Sequence, residues 1–318
     1  MINNLIGNTP MIKINYRYKG IIKSIHTKLE YYNLTGSIKD RVAYYMIKKA
    51  KEDGAILEGT PIIEATSGNT GISLSAIGSY YNHPFYIFMP NWVSAERLKI
   101  MKLYGATVKL FSKEDGGFKR CIEEASKLAK EINGYYIDQF SNINNTLAHY
   151  ETTGKEIINK ISNIGGFVTG IGTGGTLMGI GKAIKQEYKN AKIYALEPKT
   201  MSIIKTGQVG IHKIDGIGDE FIPALLDLDF IDDIVLIDDD DAINMSRKLS
   251  KELGLGVGIS SGANFLAAIL FNENTEGKMV TVFPDDSKKY LSSELCNEIN
   301  NNSTFLSNEV ELIDYEII

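Results

Sequence analysis

Short apolar runs alternate with longer amphipathic stretches along most of this chain. Residues 62–65, 85–89, 107–111, 135–137, 167–170, 192–196, 233–237 and 279–283 are rich in β-branched and aromatic side chains and read as strands. Between them, apolar residues recur at helical spacing over 40–50, 69–81, 95–104, 118–132, 150–161, 176–188, 241–253 and 262–271. Strands separated by helices predict an α/β protein whose parallel sheets are covered on both faces. The stretch 141–148, where asparagines cluster, reads as a break between domains. Asn-rich 300–307 reads as a linker, and 310–315 as an added edge strand.

Composition narrows the function classes. The chain has 318 residues, 43% of them hydrophobic and 23% charged, as expected of a globular protein of two domains or one large unit. A formal charge of −5 argues against nucleic acid or an anionic membrane as partner. The start, Met1-Ile-Asn-Asn-Leu-Ile-Gly7, lacks a basic and apolar export signal, so a cytoplasmic location is expected. Cys121 and Cys296 fall outside any paired spacing and read as reduced thiols. The scattered His26, His83, His149 and His212 suggest no metal site.

Candidate chemistry gathers where strands end. The run 62–65 leads into Thr66-Ser67-Gly68-Asn69-Thr70-Gly71, and 167–170 leads into Ile171-Gly172-Thr173-Gly174-Gly175-Thr176, each followed by a helix. Loops of this kind offer backbone N–H groups at a helix N-terminus, suited to a carboxylate or a phosphate. A third stretch, Asn33-Leu-Thr-Gly-Ser-Ile-Lys39-Asp-Arg41, places Lys39 at a helix entrance, where the helix end disfavours the ammonium. A neutral amine is what a carbonyl-trapping lysine requires. A rival reading exists: Gly170-Ile-Gly172-Thr-Gly174-Gly175 satisfies the dinucleotide fingerprint, and Glu197 follows the next strand. That reading, an NAD-dependent oxidoreductase, leaves Lys39 and the 66–71 loop without a task.

Taken together, the motifs resemble the cysteine synthase/cystathionine β-synthase family of pyridoxal 5′-phosphate (PLP) enzymes, of fold type II. The resemblance covers nearly the whole chain. It rests on Ile6-Gly-Asn-Thr-Pro10, Gly36-Ser-Ile-Lys39-Asp-Arg41, Glu64-Ala-Thr-Ser-Gly-Asn-Thr-Gly71, Met89-Pro90, Gln139-Phe140, His149-Tyr-Glu-Thr-Thr-Gly154, Gly172-Thr-Gly-Gly-Thr176, Gly216-Ile-Gly218, Phe221-Ile-Pro223 and Gly258-Ile-Ser-Ser-Gly262. It implies two doubly wound α/β domains with mainly parallel sheets and PLP in the cleft between them. Residues 1–35 and 146–298 would form the larger, phosphate-binding domain, 36–145 the smaller one with the carboxylate loop, and 299–318 a C-terminal tail.

The resemblance also implies roles. Lys39 would form the Schiff base and move the Cα proton, and Asn69 would face the cofactor's phenolic oxygen. Gly172, Thr173, Gly174, Gly175 and Thr176 would cradle the phosphate, and Ser260 would partner the pyridine nitrogen. Thr66, Ser67, Gly68, Thr70 and Gln139 would hold the substrate carboxylate, with Gly218 lining the substrate side. The reaction implied is β-replacement through an α-aminoacrylate, in a homodimer acting on small amino acids.

The chain departs from the family pattern in one loop. Sulfide-using cysteine synthases usually read Gly-Ile-Gly-Ala-Gly-Phe, whereas this chain reads Gly216-Ile-Gly-Asp219-Glu220-Phe221. An acid near Cβ would repel hydrosulfide: like charges ~4 Å apart at an effective dielectric of about 20 cost roughly 4 kcal/mol. Asp219 and Glu220 are therefore candidate catalytic groups, and L-cysteine the expected first substrate, with hydrogen sulfide released and a thioether amino acid such as lanthionine formed. O-acetylserine sulfhydrylase activity and conversion of cysteine to serine are the alternatives, with a non-catalytic PLP-binding protein as a third. Asp286 stands where the family has a hydroxyl near the cofactor ring.

Overall fold

The computed structural model describes residues 2–297 and 303–318. After a single turn of 3-10 helix, the chain forms a hairpin absent from the strands expected above, β1 (Met11–Tyr18) and β2 (Ile21–Leu29). Its signals are local: Ile12, Ile14 and Tyr16 alternate with polar residues and are at most 1% exposed. Lys19 and Gly20 form the two-residue connection, both with positive φ, the geometry that matches strand twist.

The chain then enters α1 (Lys39–Glu52), followed by β3 (Ile62–Ala65), α2 (Asn69–Tyr81), β4 (Phe85–Pro90), α3 (Ala95–Leu103), β5 (Thr107–Phe111), α4 (Gly117–Glu131) and β6 (Tyr135–Tyr136). These strands form an all-parallel sheet in the order β5-β4-β3-β6. Helix α2 carries Ile72, Leu74 and Ile77 fully buried against this sheet and α1. Its approach requires Gly78, where a Cβ would lie 1.5 Å from the Phe85 ring.

The asparagine-rich stretch lies between β6 of the smaller sheet and the strands of the larger one, and it is helical. Here α5 (Ile143–Ala148) runs through a π-helical turn, His149–Gly154, into α6 (Lys155–Lys160). Asn142 starts it by accepting the Asn144 N–H and is its N-cap.

Next come β7 (Ile164–Gly170), α7 (Gly175–Glu187), β8 (Lys192–Pro198), β9 (Asp233–Ile237), α8 (Asp239–Leu253), α9 (Ile259–Asn272), β10 (Lys278–Phe283), α10 (Leu306–Glu309) and β11 (Glu311–Ile317). Of the linker expected at 300–307, residues 300–302 lie outside the described residues, and Leu306 already begins α10. Among the described residues the strands form two sheets, and the larger has the order β11-β1-β2-β10-β7-β8-β9. It is parallel from β2 to β9 and antiparallel at β1–β2 and β1–β11, so β11 is the edge strand expected near the C-terminus. Helix α9 is apolar nearly all round and is buried beside this sheet through Phe265, Leu266 and Ile269.

Helix α1 is tied to the larger sheet by buried charge. Arg41 is 2% exposed and donates to Glu30 at 2.6 and 2.9 Å and to Glu156 at 2.6 and 2.7 Å. Lys28 adds a second cation 2.7 Å from Glu156. Burial alone would raise the Glu156 carboxyl, but Arg41 and Lys28 outweigh it and hold it at about 2. Arg41→Ala is expected to destabilise the fold by about 3–5 kcal/mol, because Glu30 would be left buried without its cation. The midpoint of urea unfolding checks this, and a change below about 1 kcal/mol would show that Glu30 finds other partners.

Candidate active site

Four helix N-termini converge on a cleft between the two sheets. Its walls bring together Lys39 from α1, Asn69 from α2, Gly172, Thr173, Gly174 and Thr176 from the loop into α7, and Ser260 from α9. Asp215, Gly216 and Ile217 close it from a further loop.

Lys39 is the first residue of α1, where its backbone N–H donates to Ser37 Oγ at 3.1 Å. The preceding turn is fixed by Asp40, which accepts the N–H and the hydroxyl of Thr35 at 2.7 and 2.6 Å. Withdrawal from water lowers the Lys39 amine to about 8, and Asp219 opposes this by favouring the ammonium. Desolvation thus acts in addition to the helix end at which Lys39 sits.

The loop into α7 needs its glycines. A Cβ on Gly172 would lie 2.5 Å from the Gly216 carbonyl oxygen, Gly174 has φ +82°, and a Cβ on Gly175 would lie 2.0 Å from Asn145 Oδ1. Gly175 therefore stands behind the cleft wall, packed on Asn145. Two residues given no role from the sequence support this loop. Asn145, fully buried on α5, donates to the Thr173 hydroxyl at 2.9 Å and to the Gln139 carbonyl at 2.8 Å. His149, also fully buried, pairs through Nε2 with the Thr176 hydroxyl at 3.2 Å and through Nδ1 with Thr153 at 3.0 Å. Burial, with smaller contributions from Lys39 and Arg41, keeps this imidazole neutral. Their signal is a polar side chain within a helix, which composition alone does not single out.

Beside Asn69, the 66–71 loop leaves the end of β3. Thr66 accepts the Gly68 N–H at 3.2 Å, and Thr70 donates to Gln139 Oε1 at 2.7 Å. Gln139 Nε2 donates to the Ala65 carbonyl at 3.1 Å, so Thr70, Gln139 and the end of β3 form one unit. Ser67 is half-buried, and Gly68 lies against Arg97, whose Nε would be 3.2 Å from a Cβ there.

The acidic pair is split. Asp219 is half-buried, and burial raises its carboxyl to about 6, opposed by His212 and Lys39 and reinforced by Glu220. Glu220 is exposed. Gly218, with φ +73°, donates to the Ile171 carbonyl at 2.8 Å and accepts from His212 Nε2 at 2.8 Å, which fixes the turn that precedes Asp219. Phe221 packs on Phe140 with centroids 5.0 Å apart. At the other end of the cleft, Asp286 caps the turn after it by accepting the Lys288 N–H at 3.0 Å, and it is Asp285 that turns inward.

These features fit PLP. An amine held near 8 faces a glycine-built helix N-terminus suited to a phosphate. Between them Asn69 Nδ2 donates one N–H to Asp285 at 2.7 Å and keeps a second N–H for an oxygen of the ring.

Comparison with known proteins agrees. The family model "Pyridoxal-phosphate dependent enzyme" matches residues 2–285. A hydrogen sulfide-producing enzyme of Fusobacterium nucleatum is 48% identical, with a TM-score of 0.96 over 100% of this chain and 97% of that one. A mutant form of a hydrogen sulfide-producing enzyme, also 48% identical with a TM-score of 0.97, was captured with an α-aminoacrylate intermediate; the match covers 100% of this chain and 98% of that one. A cysteine synthase of Staphylococcus aureus is 40% identical over 299 residues, covering 92% of this chain and 96% of that protein. A cysteine synthase structure from Entamoeba histolytica is 35% identical, with a TM-score of 0.89 over 97% of this chain and 94% of that one. Among the described residues no helix is long and apolar enough to cross a membrane. The chain belongs to the pyridoxal-phosphate dependent enzymes, in the cysteine synthase family of fold type II.

Proposed function

We propose that this PLP-dependent β-replacement enzyme acts on L-cysteine, releasing hydrogen sulfide and joining a second thiol-bearing amino acid at Cβ to give a thioether such as lanthionine. Bound PLP supplies an electron sink that makes Cα acidic and lets the Cβ substituent leave. Lys39, with its amine near 8, is the group that takes the Cα proton. The N-terminus of α2, with Thr66, Ser67, Thr70 and Gln139, holds the α-carboxylate. Hydrosulfide leaves as an anion and needs little help.

The observation that carries the choice of substrates is Asp219, a carboxyl that interacts electrostatically with Lys39 in the cleft and that burial raises to about 6. As the anion it repels returning hydrosulfide and accepts the thiol proton of the incoming amino acid. Glu220, exposed at the rim, is assigned no proton transfer. The homology to a hydrogen sulfide-producing enzyme supports this reading. The homology to cysteine synthases favours the second one, sulfide addition to O-acetylserine.

Mass spectrometry of products separates the two. Cysteine alone should give hydrogen sulfide and a thioether of two cysteine skeletons. Turnover only with O-acetylserine plus sulfide would overturn the proposal, and serine from cysteine would make water the nucleophile.

A further inference from the structure

Asp285 has no part in the chemistry above, yet it is 1% exposed and lies at the edge of the cleft. It follows β10, and its main chain bridges to Ser37, two residues before Lys39. Its Oδ2 accepts the Asn69 Nδ2 N–H at 2.7 Å and the Tyr290 hydroxyl at 2.7 Å. Tyr290 is itself held, with the Arg97 guanidinium 4.9 Å from its ring centroid and Arg97 donating to Asp215 at 2.9 Å. Asp285 Oδ1 and Asn69 Oδ1 are both buried with no hydrogen-bond partner among the described residues.

An amide can be turned end for end with little change of shape, so something must decide which end faces the cleft. A carboxylate oxygen only accepts. Were the Asn69 amide reversed, two oxygens would meet at hydrogen-bond distance. Burial raises this carboxyl, while Lys289, Asn69, Tyr290 and Arg97 favour the carboxylate, the form that can only accept. Asn69 Nδ2 carries two N–H groups, and Asp285 uses one.

We propose that Asp285 is a positioning residue for the cofactor, fixing the Asn69 amide so that its second N–H faces the phenolic oxygen of the PLP ring. The proposal rests on Asn69 as the ring's neighbour and is independent of which nucleophile completes the reaction. A donor held there stabilises the anionic form of that oxygen. Without it, the bound cofactor shifts toward the tautomer in which the oxygen keeps its own proton. The two forms absorb at different wavelengths, so the spectrum of the resting holoenzyme reads the geometry without turnover.

In Asp285→Asn the new amide can present either an oxygen or an N–H, and the orientation of Asn69 is no longer dictated. The ratio of the anionic to the protonated band should fall about tenfold, as expected for a lost hydrogen bond to a charged group. Asn69→Ala should produce the same fall, and the double variant no further one. A normal spectrum in Asp285→Asn beside an altered one in Asn69→Ala overturns the role of Asp285, as do effects that multiply in the double variant. A normal spectrum in Asn69→Ala removes the reading of Asn69 and this proposal with it, while the product analysis above still decides the reaction. If Asp285→Asn does not accumulate as folded protein, Asp285→Ala removes the acceptor that holds Asn69 Nδ2 without burying a new amide. It should lower the ratio of the bands in the same direction, and an unchanged spectrum there overturns the proposal.

Discussion

Asp219→Asn should release about one equivalent of hydrogen sulfide per active site from L-cysteine and then turn over roughly 10²–10⁴-fold more slowly than the parent, the usual worth of a positioned base. The first half-reaction needs only a base at Cα and a leaving group that is stable as an anion. The second needs a thiol proton removed beside Cβ, the task proposed for Asp219, which is half-buried whereas its neighbour Glu220 is exposed. The sign of the pH dependence follows from the raised carboxyl. Only the ionised form accepts a proton, so turnover in the parent should rise as pH passes upward through about 6. That limb should vanish in Asp219→Asn. Glu220→Gln serves as the comparison and should change turnover little. If Asp219→Asn turns over cysteine as the parent does, Asp219 is not the base for the incoming thiol, and the product analysis alone decides between the two reactions.

Lys39→Ala should retain PLP through the 172–176 loop but exchange the substrate's α-proton at least ~10³-fold more slowly, since covalent anchor and base are lost together. Deuterium uptake at Cα, followed by NMR, measures this directly. In the parent the amine works as a base only when neutral, and burial lowers it to about 8. Exchange should therefore climb with pH and level off above about 8, and this limb should be absent from the variant. Borohydride treatment should fix the cofactor to the peptide containing Lys39 in the parent and to no peptide in Lys39→Ala. Parent-like exchange in the variant would assign the proton to another group.

Much of this architecture is legible because local pattern and tertiary packing agree. The strands at 62–65, 107–111 and 233–237 coincide with the sequence pattern, since each is a β-rich run bounded by turn residues. The hairpin β1–β2 shows the strict alternation of a half-buried strand and still escapes the reading, because the alternating units that follow it dominate the chain. At 141–148 the sequence gives no sign that Asn142 caps a helix and Asn145 is buried within it, roles that depend on partners the local pattern does not reveal. Parity explains the exchange of Asp286 for Asp285. Successive side chains of an extended segment face opposite ways, so the sequence places an acid by the ring without saying which of two neighbours turns in. The separation of Asp219 from Glu220 is hidden for the same reason, and it depends on the Gly218 turn that His212 holds.

The seam formed by β11, β1 and β2 has a consequence for synthesis on the ribosome. The four-stranded sheet is built from one uninterrupted stretch of chain, so all its strands are present soon after β6 emerges. The larger sheet must wait. Its first hairpin pairs with β10 on one side and β11 on the other, and Lys13 meets Glu316 across 303 residues. Until the last residues are released, β1 keeps an open edge on a nascent chain. The smaller sheet thus has time to form while the cleft, whose floor needs β10, is still absent. Closure of that seam is the slow, non-local step, and the active site comes into being with it rather than before it.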